Sequence, residues 1–192
     1  GRQADVPRLD VVVAIVDATN LERNLYLFTQ VRQLGKPLVL VLNMWDRAQA
    51  LGIHIDLAEL ESRLGARVLT ATASQGVGVA AIKQAIRDAV ESAHVVPPTI
   101  FIGSFQEETD ALRQWIHAQS GLELQPFLAE RLILDLGGAH AAELSRRAEL
   151  ASLPQRLDEI RHRLAEAGQR VPAIETKTRY TWIRGQLAGI VE

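Results

Sequence analysis

The sequence has no cysteine, no strong excess of charge and no long apolar run. Without cysteine there is no thiolate nucleophile, cysteine-ligated zinc or disulfide, which fits a reducing compartment. The formal net charge is -2, from 21 Lys and Arg against 23 Asp and Glu, so nothing indicates a nucleic-acid-binding surface. The longest apolar runs, 11–16 and 38–42, are far shorter than the roughly 20 residues of a membrane-spanning helix. Residues 1–8 are polar and no apolar segment of signal-peptide length follows them, so no signal peptide is expected.

The first half of the chain alternates strand-like and helix-like patterns. Short, β-branched apolar runs predict strands at 11–16, 38–42 and 67–72. The first of these runs is continuously apolar, which predicts burial on both faces. Apolar residues at helical spacing predict helices at about 21–34, 44–51, 57–64 and 79–90. Such alternation predicts a parallel α/β sheet, whose ligands bind in the loops beyond the carboxyl ends of the strands.

The pattern changes at Val95-Val96-Pro97-Pro98, after which amphipathic helical signals dominate. We predict helices at 109–119, 127–136, 139–150, 153–167 and 173–191. Pro154 suits the first turn of one of them. The expected fold class is therefore an α/β unit, residues 1–98, followed by an all-α domain, residues 99–192.

The tetrapeptide Asn43-Met44-Trp45-Asp46 directly follows the second predicted strand. A carboxylate at Asp46 can accept two parallel hydrogen bonds, from N1–H and the exocyclic amine of guanine, a donor pair that adenine lacks. The amide of Asn43 can donate to guanine N7 while its oxygen braces a neighbouring loop. Asn and Asp are also common helix caps and turn formers, so the tetrapeptide alone leaves that interpretation open.

A second loop, Thr72-Ala73-Ser74, follows the third predicted strand. A small residue with a free backbone N–H can approach guanine and donate to its O6, and the Thr72 hydroxyl can hold the turn. An ordinary strand-to-helix connection, made permissive by Gly76 and Gly78, explains the same residues. Both loops together, at equivalent strand ends one α/β unit apart, favour guanine recognition.

Several stretches resemble the G domain of the ferrous iron transport protein B (FeoB) family. They are the run Asp17-Ala18-Thr19-Asn20-Leu21-Glu22-Arg23-Asn24-Leu25, the tetrapeptide Leu34-Gly35-Lys36-Pro37 and the Asn-Met-x-Asp motif at 43–46. The resemblance covers about residues 5–92 and extends more loosely into the helical half. It implies that Asn43, Met44, Trp45 and Asp46 form the fourth guanine-binding motif, and Thr72, Ala73 and Ser74 the fifth. Trp45 occupies a variable position, where we expect it to pack beside the base or on the surface.

The resemblance also implies a biological setting. The sheet would be part of a P-loop GTPase fold, and the helical domain a built-in guanine-nucleotide dissociation inhibitor that leads toward a membrane pore. The implied ligands are GTP and GDP, with magnesium in the parent protein. The implied partner is the parent's own membrane pore domain, and the implied location is the cytoplasmic face of the bacterial inner membrane.

No phosphate-binding Gly-x-x-x-x-Gly-Lys-[Ser/Thr] occurs, and no Asp-x-x-Gly precedes the first strand. In the family these motifs precede the part that is present here. We therefore expect residues 1–8 to match the tail of the second switch region and the chain to be a fragment. Its parent would hydrolyse GTP, while the fragment would bind nucleotide very weakly and not catalyse. An exposed sheet edge is also expected, through which the fragment self-associates unless its N-terminal part was lost after folding.

Two other functions remain open. One is a helical regulatory or interaction module with an α/β half that no longer binds nucleotide. The other is a different GTPase with an appended helical domain. No metal site is expected, because the five histidines lack ligand spacing. Asp17 is expected to be a turn or cap residue, and Ser104 to cap an acidic first helical turn.

Overall fold

The computed structural model describes residues 9–91 and 99–191. The chain forms two compact units, which we call the α/β unit and the helical unit. The α/β unit combines the residues up to 98 with residues 180–192, and the helical unit comprises residues 99–179. The predicted boundary at Val95–Pro98 lies outside the described residues.

The α/β unit contains a parallel three-stranded sheet in the order β1-β2-β3. Its strands are β1 (Val12–Asp17), β2 (Leu38–Asn43) and β3 (Arg67–Thr70). Its helices are α1 (Leu21–Arg32), α2 (Trp45–Ala50), α3 (Leu57–Leu64) and α4 (Val79–Glu91). Asp17 pairs with Asn43, and Leu42 pairs with Thr70, so all three strands end at one edge of the sheet. The predicted fold class is confirmed.

The central strand is buried, but β1 is not buried on both faces as predicted. Residues 39–42 of β2 are inaccessible, whereas the side chain of Ile15 in β1 is 65% exposed. The neighbours of Ile15, Ala14 and Val16, face the core on the side of α1. On the opposite face α4 contacts β2 and β3, so Ile15 lies beyond its cover. Among the described residues β1 pairs on one side alone.

The helical unit contains α5 (Ser104–Ser120), α6 (Pro126–Leu134), α7 (Ala139–Leu144), α8 (Leu153–Glu166) and the start of α9 (Ala173–Leu187). The predicted apolar face of α8 is buried, and Pro154 lies in its first turn as expected. The single helix predicted over 139–150 is wrong, because α7 ends at Leu144 and a separate 3-10 turn follows at Ala148–Leu150. No described helix is long and apolar enough to cross a membrane.

The acidic start of α5 is not capped by Ser104 as predicted, and its neighbouring carboxylate makes an ion pair with another helix. Gly103, with φ 63°, precedes α5, so Ser104 is its first residue and not its cap. The acidic turn instead contacts another helix, since both carboxylate oxygens of Glu108 accept from Arg163 of α8, at 2.6 and 2.7 Å. Near the start of α9, Glu175 accepts from Arg131 and from the fully buried Arg179.

The end of α9 and the residues after it belong to the α/β unit. Ile183 and Ile190 are buried in its core. The ring of Tyr180 lies 5.4 Å from that of Tyr26 in α1. The guanidinium of Arg63 donates to the carbonyl oxygens of residues 186 and 188, at 3.1 and 2.9 Å. The sequence-based division, which assigned all of 99–192 to one helical domain, therefore differs from the observed units over residues 180–192.

Candidate functional site

The first loop of the site leaves β2 through a left-handed turn. Met44 follows the last strand residue with φ 58° and ψ 35°, and α2 begins at the next residue. This backbone conformation is strained for a residue with a Cβ atom, and such strain is concentrated at functional loops. The turn occupies this one residue. It places Asp46 in the first turn of α2, at the carboxyl edge of the sheet.

The second loop leaves β3 through a short closed turn. The backbone groups of Thr72 and Val77 exchange two hydrogen bonds of 3.2 Å across it. Gly78 follows with φ 86°, and a Cβ atom there would collide with the carbonyl oxygen of Thr70. Glycine is therefore needed at position 78 because the backbone there lies close to the backbone of Thr70, as well as for its positive φ. The loop is held against the end of β3 as a compact bend.

Asn43 connects the two loops. Its side-chain oxygen accepts a hydrogen bond from the backbone N–H of Ala73 at 3.1 Å, as the predicted bracing role requires. Because of this bond, the N–H of Ala73 is not free to meet a base. Within the described residues the N–H of Ser74 donates to no protein group. Ser74 is exposed and provides the free donor of this bend.

Both carboxylate oxygens of Asp46 face the second loop. The hydroxyl of Thr72 donates to Oδ1 at 3.3 Å, and the side-chain amide of Gln75 donates to Oδ2 at 3.4 Å. The backbone N–H of Asp46 donates back to the Thr72 hydroxyl oxygen at 3.4 Å. Thr72 is 6% exposed, whereas Asp46 and Gln75 are exposed. The acid and the bend therefore lie within hydrogen-bonding distance of each other.

Gln75 was not among the residues predicted for this site. Its position next to Thr72-Ala73-Ser74 was visible in the sequence, but nothing in the local pattern indicates which way its side chain points. The structure shows that the 3-10 turn at Ala73–Gln75 brings it back toward α2.

Trp45 lies elsewhere than expected. Its side chain packs against the core of the α/β unit and lines a cavity of about 480 Å³ together with His54, Asp56 and Ile190. None of residues 72–75 lines that cavity. The physical reason is the left-handed turn at Met44, after which Trp45 opens α2 while the adjacent Asp46 faces the bend. Met44 itself is 43% exposed.

The remaining strand, β1, ends at Asp17, which pairs in register with Asn43 of β2. Its carboxylate accepts from the backbone N–H of Thr19 at 2.8 Å and from the Thr19 hydroxyl at 2.7 Å. These two hydrogen bonds stabilise the charged form and hold the pKa of Asp17 below its usual value. The predicted cap role is confirmed. Across the described ranges no three His, Asp or Glu side chains are grouped to hold a metal ion.

We compared the chain with known protein families and with curated proteins. The family model described as ferrous iron transport protein B matches residues 6–86. The Fe(2+) transporter FeoB of Salmonella typhimurium is 33% identical over 163 residues, which cover 82% of this chain. The chain spans 21% of the length of that relative.

Solved structures show the same relationship. The cytosolic domain of L. pneumophila FeoB is 26% identical, with a TM-score of 0.71 over 98% of this chain and 70% of that one. A mutant S. thermophilus NFeoB bound to GMPPNP is 25% identical, with a TM-score of 0.76 over 93% of this chain and 69% of that one. Sequence and fold agree, and the chain belongs to the ferrous iron transport protein B family.

Proposed function

We propose that this chain is the guanine-recognising part of the cytosolic region of a ferrous iron transporter. Asp46 reads the base, Asn43 and Thr72 hold the two loops together, and Ala73 and Ser74 form the bend on which the base rests. Met44 and Trp45 contribute the turn and the start of α2 that aim Asp46. We assign the guanine-binding residues to the α/β unit and the regulatory role to the helical unit.

The observation that carries this proposal is the position of the Asp46 carboxylate. Its two oxygens are presented side by side toward a loop of small residues, and each accepts a hydrogen bond there. Guanine offers two parallel donors, N1–H and the exocyclic amine, which match such a pair of acceptors. Hydrogen bonds to a charged group contribute about 1.5–3 kcal/mol. Adenine offers no such donor pair and would forgo this contribution.

A donor for the remaining edge of guanine is available in the bend. The N–H of Ala73 is engaged by Asn43, so we assign recognition of O6 to the N–H of Ser74. The amide nitrogen of Asn43 has no described partner and is left to donate to N7. The base would thus meet one acceptor pair and two donors, a pattern that fits guanine.

The phosphates require groups from outside these 192 residues. The 192 residues contain no Gly-x-x-x-x-Gly-Lys-[Ser/Thr] motif. That motif supplies the backbone groups that hold the phosphates and the hydroxyl that binds magnesium. A relative, the S. thermophilus NFeoB mutant, is bound to GMPPNP, which supports a guanine nucleotide as ligand. We expect the residues present here to bind GTP or GDP weakly and not to hydrolyse GTP.

The relatives are named Fe(2+) transporters, which supports a proposal for the setting of the whole protein. We place the chain at the cytoplasmic face of the bacterial inner membrane, attached to the protein's own pore domain. The helical unit would act as a dissociation inhibitor for the nucleotide. A second copy of the chain would pair through the exposed edge of β1.

The test is a change of base preference. In Asp46→Asn the side chain offers one donor and one acceptor, which complements xanthine better than guanine. We expect GMP to shift backbone amide NMR signals of residues 43–46 and 72–75 in the wild type, and XMP to do so in the variant. Asp56→Asn is the matched control, because Asp56 is an exposed acid of the same unit that caps α3. It should leave the preference for GMP unchanged.

Two results would contradict the proposal. The first is a GMP-induced shift confined to residues away from the two loops. The second is a wild-type chain in which GMP and AMP shift no signal at concentrations up to tens of millimolar. That second result would favour the alternative of an interaction module whose α/β half binds no nucleotide.

A further inference from the structure

The carboxylate of Asp46 accepts hydrogen bonds from two side chains of its own chain. Gln75 Nε2 donates to its Oδ2 and the Thr72 hydroxyl donates to its Oδ1. A primary amide N–H and a guanine N–H are donors of similar chemistry, and both approach a carboxylate oxygen in the same direction. The amide of Gln75 therefore donates to a carboxylate oxygen that guanine would also use.

The two donors differ in their freedom to leave. Thr72 is 6% exposed and is tied to α2 by a second bond, from the backbone N–H of Asp46. Gln75 is exposed, and its long side chain makes no other described side-chain contact. Thr72 is buried and can keep its place on one lone pair of Oδ1, whereas the amide of Gln75 lies on the solvent side, from which a base would approach. Gln75 can rotate into solvent without disturbing the backbone of the bend.

We propose that Gln75 is an intramolecular stand-in for guanine, which occupies Asp46 in the empty site and has to be displaced by the base. This inference rests on the proposed function and adds a residue that sets affinity. The base must exchange one hydrogen bond for another, so part of its binding energy is offset. The same contact keeps the acid aimed at the bend when the site is empty.

The expected consequence is opposite to that of an ordinary binding residue. Gln75→Ala removes the competitor and should tighten GMP binding about two- to tenfold, the range given by one modest hydrogen bond. Gln49→Ala is the matched control. It deletes the same type of exposed side chain from α2, the helix that carries Asp46, and Gln49 has no described side-chain hydrogen bond. It should leave the GMP affinity unchanged.

The experiment is a titration of the 192-residue chain with GMP, and with AMP as base control, followed by amide NMR. In the wild type, GMP should move the side-chain NH2 signals of Gln75 toward those of a solvent-exposed glutamine, while AMP leaves them in place. If Gln75→Ala binds GMP with equal or lower affinity than the wild type, the inference is wrong although the proposed function stands. If the wild type binds no GMP, both fall together.

Discussion

The side-chain oxygen of Asn43 accepts a hydrogen bond from the backbone N–H of Ala73 across 3.1 Å. This bond joins residues 30 positions apart, at the ends of the neighbouring strands β2 and β3. It fixes the bend that faces Asp46, and so the geometry of the candidate site depends on a contact between its two loops.

The first prediction concerns that bond. Asn43→Ala removes the acceptor and should lower the free energy of unfolding by about 0.5–1.5 kcal/mol. Asn43→Asp keeps an oxygen in the same place and should restore most of the loss. Urea denaturation followed by circular dichroism measures both. Equal destabilisation by the two substitutions would show that the hydrogen bond to Ala73 is not what stabilises the loop.

The second prediction concerns the left-handed turn at Met44. Met44→Gly removes a strain of about 1–2 kcal/mol for a residue with a Cβ atom, at the expense of a half-exposed side chain. We expect a net stabilisation of up to about 1 kcal/mol, measured as a higher urea midpoint. Ala50→Gly, at a right-handed position in α2, the helix that Met44 precedes, is the control and should destabilise by about 0.5–1 kcal/mol. A lower midpoint for Met44→Gly would mean that side-chain contacts of Met44 outweigh the strain.

The third prediction separates backbone strain from backbone collision. Gly76 and Gly78 both have positive φ, but a Cβ atom at 76 meets nothing within 4 Å, whereas one at 78 collides with the backbone at Thr70. Gly76→Ala should therefore cost about 1–2 kcal/mol, the strain alone. Gly78→Ala should cost clearly more, and should perturb amide NMR signals of residues 70–73. Similar costs for the two variants would contradict the close approach at Gly78.

The fourth prediction concerns acid sensitivity in the helical unit. Hydrogen bonds from Arg163 hold the pKa of Glu108 below its usual value. A lowered folded-state pKa stabilises the protein above the unfolded-state pKa, which is about 4.3 for Glu, and this contribution is lost as the pH falls through the folded-state pKa. Glu108→Gln should thus cost about 1 kcal/mol at pH 7.

The difference between Glu108→Gln and the wild type should vanish below the folded-state pKa of Glu108, where both side chains are uncharged. Denaturant midpoints measured from pH 7 down to pH 3 test this. The adjacent Glu107→Gln makes the same change of charge at an exposed residue with no described ion pair. Its curve should run nearly parallel to that of the wild type. A constant gap between Glu108→Gln and the wild type at every pH would mean that packing, and not charge, is responsible.

The order of strands and helices could be predicted from the sequence because apolar spacing reports directly on which side of an element is buried. The runs at 11–16 and 38–42 predicted β1 and β2 nearly to their ends, and the two strand-end loops followed from parallel topology. The exposure of Ile15 could not be predicted, because it depends on which helices cover a given strand. That information is not contained in the strand's own residues.

The directions of side chains in the loops were the other limit. A left-handed residue at Met44 sends Trp45 to the core and Asp46 to the bend, and no propensity scale separates such neighbours. The contact between Gln75 and Asp46 likewise depends on the 3-10 turn between them. The hydrogen bond from the Ala73 N–H to Asn43 is a tertiary contact. Which backbone N–H of the bend stays free could therefore not be predicted from the local sequence.

The return of residues 180–191 to the α/β unit has a practical consequence. Ile183 and Ile190 are part of a core whose other buried members lie before residue 69. The α/β unit is therefore made of two separate segments of the amino-acid sequence. A polypeptide cut after residue 98 would leave a gap where those two isoleucines pack, and Arg63 would lose the carbonyl groups to which it donates. Isolating the α/β unit as an autonomous folding piece would therefore require the C-terminal residues to be grafted on or supplied as a separate peptide.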